Sequence, residues 1–379
     1  MTMKKKFLTL NALSETIVLL LFANLRRLCI VLNLTVIVLP LFTSCNGDED
    51  PIENPVVPSE YIYVLNCGKD GSNNASLTLY DVEKGKATQR FFETQNGRRL
   101  GDVGQDLLVY GSKMYIAMFG ESTIEATDLE AKSIKQITTE GQPRYLTAYG
   151  GKVYVTYFNG YVARIDTTTL IVEAKTPVGR NPEKLTVENG KLFITNSGGL
   201  DFATEIGYDK TVSIIDIATF TETQKIEVVV NPCDIVSDKN GFVYVVSIGN
   251  YMDIPNTLQK INASTGEISI ITAINATYLA TAGTKLYAIH AQYDDNWNQI
   301  IKYYAYDMGT NSVLSDNFIG STTIDSPYLI SSDEESGEVY ITSSDYINNG
   351  DVYIFDKSNQ LVAKFETGLN PMKAVKIVR

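Results

Sequence analysis

RNPEKLTVENGKLFITNSGG, residues 180–199, places an Asn-Pro turn before a short alternating run, a Gly-centred turn, and then a β-rich run anchored by Phe193. Turn, strand, turn, strand in twenty residues is the pattern of an antiparallel hairpin. The second run has relatives along the chain. They are YIYVLN (61–66), KMYIAMF (113–119), KVYVTYF (152–158), KLFITNS (191–197), FVYVVSI (242–248), KLYAIHA (285–291) and EVYITSS (338–344). The anchoring aromatics are Tyr63, Tyr115, Tyr154, Phe193, Tyr244, Tyr287 and Tyr340, spaced 52, 39, 39, 51, 43 and 53 residues apart. Seven units with a period near 40 and uneven insertions describe a repeat fold of four-stranded units.

Each anchored run is followed by a second run ending at Asp81, Asp128, Asp166, Asp216, Asn262, Asp307 or Asp356. Asp and Asn bond to the backbone a few residues on, so these positions read as turn formers rather than catalytic acids. A third run follows, and then a turn that often carries proline, as in GQP (141–143), GRNP (179–182), VNP (230–232), DSP (325–327) and GLNP (368–371). Proline donates no N–H and fits the start of a strand. The unit is therefore Pro turn, strand A, Gly-rich turn, strand B, variable loop, strand C, Asp turn, strand D. The chain enters its first unit at strand B near Tyr61 and ends in NPMKAVKIVR, a strand A without a strand B. The last strand is thus expected to complete the first blade, which removes free sheet edges. The expected fold is all-β: a seven-bladed β-propeller of four-stranded antiparallel blades over residues 60–379, closed by its C-terminal strand.

In such a meander the B–C loops and the D–A turns lie on one face. The distance from anchor to turn acid varies as 18, 13, 12, 23, 18, 20 and 16 residues, so length variation concentrates in the B–C loops. Variable loops on a rigid scaffold carry binding. The ligand-binding residues expected there are Arg99, Arg144, Tyr157, Phe158, Arg180, Asn181, Tyr208, Asn231, Tyr251, Tyr293, Trp297, Tyr328, Tyr346 and Asn370, with Arg98 and Met372 nearby. Aromatic rings give contact area with few rotors to freeze, and Asn and Arg give directional hydrogen bonds.

Composition narrows the chemistry. The 379 residues carry 44 acids against 32 bases, a formal net charge of −12, which opposes nucleic-acid binding. His290 is the sole histidine, and the triads or zinc sets that need imidazole have no second partner. No enzyme activity and no resident cofactor is expected. DDNWN (294–298) and KDGSNN (69–74) lack the Gly and distal Glu spacing of an EF-hand, so calcium is not expected either. Cys67 and Cys233 fall in distant units and are read as free thiols.

Arg26 and Arg27 precede a short apolar run (28–42) that ends in Thr-Ser-Cys at Cys45. A charged segment, a short apolar core and small residues before Cys resemble a bacterial lipoprotein signal. The resemblance implies cleavage after residue 44 and lipid on Cys45, followed by an acidic, Pro-rich tether over 45–59 similar to the export signal of Bacteroidetes surface lipoproteins. Removing residues 1–44 takes five bases and one acid, which moves the net charge to −16.

FITNS (193–197) and KTVSIIDIAT (210–219) resemble YVTN-type, YncE-like propellers. Together with the lipoprotein signal, SNNASLTLYD (72–81), GDVGQDLLVYGSKMYIAM (101–118) and GDVYIFDKSNQLVAKFETGLNP (350–371) resemble the cobalamin-binding BtuG family. That resemblance implies an outer-membrane, surface-exposed lipoprotein held by its lipid anchor. It would capture a corrinoid on the loop face and pass it to a TonB-dependent transporter. A glycan-binding or adhesive propeller is the alternative.

Overall fold

A computed structural model of the chain describes residues 59–293 and 299–379. These residues form seven four-stranded antiparallel sheets, each running A-B-C-D from the centre outward. In the first sheet, Pro371–Val378 lies beside Glu60–Asn66, followed by Ser76–Asp81 and Lys86–Thr88. The closing strand is paired along its length, from Glu60 opposite Val378 to Asn66 opposite Pro371. Ser59 and Arg379 exchange backbone hydrogen bonds of 2.8 and 3.0 Å at its end. The ring is therefore closed by the C-terminal strand, as the chain ends imply.

Why these segments become strands follows from where the blades stack. Each blade is sandwiched between two others, so both faces of its B strand are covered and the strand reads as an unbroken apolar run. Lys113–Met118, Lys152–Tyr157, Lys191–Asn196 and Phe242–Ser247 are each buried at every position but the first. The seven anchor aromatics are all 1% exposed or less. The buried apolar side chains form seven clusters, one at each blade junction, including the junction of blades 7 and 1. Burying a large side chain of this kind contributes about 1.5–3 kcal/mol. Outer D strands alternate weakly and face solvent, as in Ser133–Thr138 and Thr221–Glu227.

The turn acids behave as expected. Asp166 Oδ1 accepts from Thr168 N and Thr169 N at 3.0 and 2.6 Å, and Asp216, Asn262, Asp307 and Asp356 repeat the arrangement. The long interval after Tyr63 holds an element the repeat pattern does not contain, a helical turn at Phe91–Asn96. It is fixed by buried Phe92 and by Asn96 Nδ2 donating to Ala131 O at 2.8 Å.

Candidate functional site

On the B–C loop face, one hydrogen bond recurs in six blades. A carbonyl of the D–A turn accepts from the residue just past strand B, in the pairs Cys67–Asn370, Phe119–Val103, Phe158–Gln142, Ser197–Asn181, Ile248–Asn231 and Ser344–Ser326. In five of these pairs the turn residue is left-handed: Val103, Asn181, Asn231, Ser326 and Asn370 have φ between 44 and 61°. Asn enters that region more easily than most residues, which explains the repeated Asn-Pro.

Immediately after this turn, strand A is bulged in six blades, with register shifts at Pro143/Leu146, Pro182/Leu185, Pro232/Asp234, Pro327/Leu329, Gly104/Asp106 and Leu65/Asn66. A bulge sets two residues opposite one and re-aims their side chains. Sequence neighbours at the start of strand A therefore both reach the adjoining blades around the axis. The first of each pair forms an upper tier. Arg144 donates to Gln105 Oε1 at 3.0 Å and, through Nε, to Glu183 Oε2 at 2.9 Å, with a second bond from Nη2 to the same oxygen. The guanidinium lies over Phe158 at 4.9 Å and Phe119 at 5.6 Å. The next residues form a lower tier of two matching clasps. Lys373 Nζ meets Asp106 Oδ1 at 2.9 Å while Asp106 Oδ2 accepts from Leu146 N at 2.8 Å. Lys184 Nζ meets Asp234 Oδ2 at 2.6 Å, and that oxygen also accepts from Leu279 N at 3.0 Å. Each clasp spans three blades.

Burial dominates the electrostatics. It holds the Glu183 and Asp234 carboxyls above their ordinary values, against the pull of Arg144 and Lys184 respectively. It also raises the Cys233 thiol and the Tyr145 phenol. The acids are matched by bases in both tiers, so the axial floor carries little net charge.

Over blades 4 to 7 the mouth is phenolic. Tyr278 and Tyr328 stand at the start of strand A in blades 6 and 7, Tyr208, Tyr251 and Tyr346 come from B–C loops, and Tyr328 packs edge-on to Tyr346 at 5.4 Å. Burial raises the Tyr278 and Tyr328 phenols, with smaller contributions at Tyr278 from Tyr346, Asp234, Tyr251 and Cys233, and at Tyr328 from Cys67, Tyr346 and Tyr278. Around them the loops expose Leu200, Phe202, Ile206, Tyr251, Met252, Tyr346 and Ile347, each at least 65% accessible. A surface cleft of about 610 Å³ lies away from this face, at the outer junction of blades 5 and 6 beside Phe242, Lys260 and Tyr306. It is lined by strand and turn residues, and Lys260 there donates to Asn311 Oδ1 at 2.8 Å.

The expected site residues divide accordingly. Arg144, Phe158, Tyr208, Tyr251, Tyr328 and Tyr346 gather at the mouth. Tyr157 does not: it is the last residue of its B strand, 1% exposed, in the cluster between blades 2 and 3. The alternation of the strand, not the loop, decides its side. Asn181, Asn231 and Asn370 are left-handed turn residues whose side chains hold the loops together. Asn181 Nδ2 donates to Phe158 O at 3.1 Å, Asn231 Oδ1 takes the Cys233 thiol, and Asn370 Nδ2 donates to Gly68 O at 2.8 Å. Arg180 is occupied inside the long loop of blade 4, donating to Gly207 O at 3.0 Å and pairing with Asp201. Arg99 donates to Asn73 O at 3.2 Å, and Arg98 turns away to Glu125 at 2.8 Å. Trp297 and Cys45 lie outside the described residues, as does the side chain of Tyr293. Cys67 and Cys233 are free. Among the described residues no cluster of three His, Cys, Asp or Glu is placed to hold a metal.

Sequence reasoning missed Gln105, Asp106, Glu183, Lys184, Asp234, Tyr278 and Lys373. Their shared signal is position: they are the first two residues after the D–A turn, in PEK, PCD, ATY, GQD and PMK. Strand alternation alone would send only one of each pair inward.

A neutral polar floor, a phenolic arc and an apolar brim on a closed ring define the class: a seven-bladed β-propeller with a built axial face. No protein-family model matches the chain, and no curated protein matches it. Solved structures do. A quinonprotein alcohol dehydrogenase-like protein of Bacteroides thetaiotaomicron is 16% identical with a TM-score of 0.59, over 83% of this chain and 77% of that one. A 6-phosphogluconolactonase-like protein of Bacteroides uniformis is 13% identical with a TM-score of 0.59, over 84% and 99%. Hydrazine synthase of Kuenenia stuttgartiensis is 14% identical with a TM-score of 0.58, over 77% and 94%. At these identities the likeness is one of fold alone, since one propeller scaffold hosts unrelated chemistries.

Proposed function

We propose that this protein is a surface lipoprotein that captures a small ligand on the axial face of its propeller, the ligand being a corrinoid that is passed on to an outer-membrane transporter. The observation that carries the capture is the convergence of Tyr208, Tyr251, Tyr278, Tyr328 and Tyr346 with Arg144 over one mouth, on the face that bears the variable loops. The face is broad and its axial floor is uncharged in sum, with hydrogen-bonding groups at its centre and apolar side chains at its brim. That suits a wide ring system with polar arms better than a small anion. The Cys45 signal and the resemblance to the BtuG family supply the anchor and the transporter.

The reading is one of binding without catalysis. The axial carboxylates Asp106, Glu183 and Asp234 are each paired with a lysine or arginine, a structural use of their charge that supports this reading. A glycan is the second reading, favoured by rings that stand open at the brim: Phe202 and Tyr346 are 65% exposed and Tyr251 is 74% exposed.

Calorimetric titration of cyanocobalamin into the chain from Asn46 onward tests the proposal. Saturable one-to-one binding at sub-micromolar strength supports corrinoid capture. Absence of heat together with an unmoved Tm removes it, and neutral oligosaccharides become the next ligands.

A further inference from the structure

Two loops of the axial face are built alike, although they belong to blades 5 and 7. In one, Asn250 Oδ1 accepts from Met252 N at 3.0 Å and Ile254 N at 2.9 Å, and its amide donates to Asp253 Oδ1 at 2.7 Å. In the other, Asp345 Oδ1 accepts from Ile347 N at 2.9 Å and Asn348 N at 2.7 Å, and Asn348 donates back to Asp345 Oδ2 at 2.7 Å. Acid and amide exchange places at i and i+3, and both turns share the bond from the i+2 N–H, while the second N–H comes from i+4 in the first loop and from i+3 in the second. Between them each loop holds a tyrosine followed by an exposed aliphatic side chain, Tyr251–Met252 and Tyr346–Ile347.

Both tyrosines have left-handed backbones, with φ of 58° for Tyr251 and 63° for Tyr346. Bulky residues are rare there, and glycine or asparagine would fit at less cost. Core packing does not account for the choice, since both residues are mostly exposed. Residues held in this strained region cluster at ligand clamps. The two rings stand on either side of blade 6, where Tyr278 is near both, and Tyr346 continues into Tyr328.

We propose that Tyr251, Tyr278, Tyr328 and Tyr346 form one subsite over blades 5–7 that takes the uncharged, carbonyl- or hydroxyl-bearing edge of a ring-containing ligand. Tyr251 and Tyr346 are its walls, held in strained turns for that contact. The inference rests on the axial-face reading and adds the chemistry of one half of it. Phenols in this arc are protonated donors at physiological pH, and burial raises Tyr278 and Tyr328 further above the ordinary phenol range. Donors without charge match neutral oxygen acceptors, and the rings add stacking area.

The test uses the chain from Asn46 onward, which holds the whole closed ring, with Tyr251→Asn, Tyr346→Asn, Tyr251→Phe and Tyr346→Phe. Tyr149→Ala, at an exposed A–B turn on the opposite face, serves as the control. Asparagine relaxes the left-handed turn, so each Asn variant raises Tm, by about 2 °C, with no ligand present. A fall in Tm means the tyrosines hold the loops together, and overturns the proposal. With cyanocobalamin as probe, each Asn variant weakens binding about tenfold or more, each Phe variant weakens it less, and the control leaves it unchanged. Wild-type affinity in the Asn variants overturns the subsite while leaving ligand capture intact. If the wild type does not bind cyanocobalamin, the corrinoid reading fails and cellohexaose, a neutral ring-bearing oligomer, replaces it in the same series. Binding that the Asn variants lose then supports the arc, and absence of binding to either probe overturns it.

Discussion

Lys373 lies in the strand that closes the ring, and its replacement by methionine is the most informative change to the scaffold. Its ammonium meets Asp106 at 2.9 Å, and the Asp106 side chain is 3% exposed. With Lys373→Met that carboxylate keeps the Leu146 N–H as its partner and loses its counter-charge. Leaving a buried charge unpaired in this way costs about 3–5 kcal/mol. Asp106→Asn is gentler. Lys373 is 30% exposed and can turn its charge to water, so the loss is that of one hydrogen bond to a charged group, about 1.5–3 kcal/mol. Once the carboxylate is gone, the lysine has nothing left to neutralise. The double variant should therefore cost about as much as Asp106→Asn alone.

Equilibrium urea unfolding at pH 7 measures all four corners of this cycle, provided the m-value stays constant. A cost below about 1 kcal/mol for Lys373→Met would refute the reasoning, because it would mean water reaches Asp106 freely. Simple additivity of the two single changes would refute it as well. The clasp of Lys184 and Asp234 is an internal repeat of the experiment. Lys184 is 19% exposed and Asp234 is 3% exposed, and Asp234 Oδ1 has no hydrogen-bond partner to begin with. Lys184→Met should thus cost at least as much as Lys373→Met.

Three further outcomes are expected. Tyr157→Phe removes a buried hydroxyl that has no partner, so stability stays level or rises by about 1 kcal/mol in thermal melts, with ligand binding unchanged; a clear loss of stability would show the hydroxyl to be bonded. The Cys67 thiol is pushed up to about 11 by burial and then by Asp102, from an ordinary 9.0, so its alkylation by iodoacetamide at pH 8 should run roughly a hundredfold slower than that of a free thiol and climb until about pH 11. A peptide-like rate at pH 8 would contradict this. Asn231→Ala places a Cβ-bearing residue without a side-chain acceptor at φ 61°, and should lose about 1–2 kcal/mol, most of it recovered by Asn231→Gly; equal losses for the two would show that the amide, not the backbone, matters.

The fold was legible because every level of the sequence agrees on it. An anchor aromatic, a turn acid and a Pro turn recur in register, and the unpaired strands at the two ends of the repeat region complete one another. Each signal is local, and each is what its position physically demands. The site was less legible because two local rules compete there. Asn181, Asn231 and Asn370 look like ligand-binding amides on an exposed loop face. They hold left-handed turn positions just before a proline, and their side chains bond within and between these loops. Tyr157 looks like the first residue of a loop but is the last of its strand, and a shift of one position sends it into the core. The reverse error hides the axial tiers. Glu183 and Lys184, or Cys233 and Asp234, read as alternating strand residues, one in and one out, until a bulge turns both toward the ring centre. A bulge has no residue signature of its own in these segments, beyond the charged or polar pair that follows each turn. The tyrosines were legible one by one, but not as an arc. That Tyr251 and Tyr346 occupy similar turns depends on Asn250 and Asp345 each accepting the N–H two residues on and pairing with the side chain three residues on, a likeness that NYMD and DYIN show only once the turns are seen. The axial face is thus marked by departures from the repeat: bulges that double the axial side chains, and two turns that set a tyrosine in a left-handed backbone.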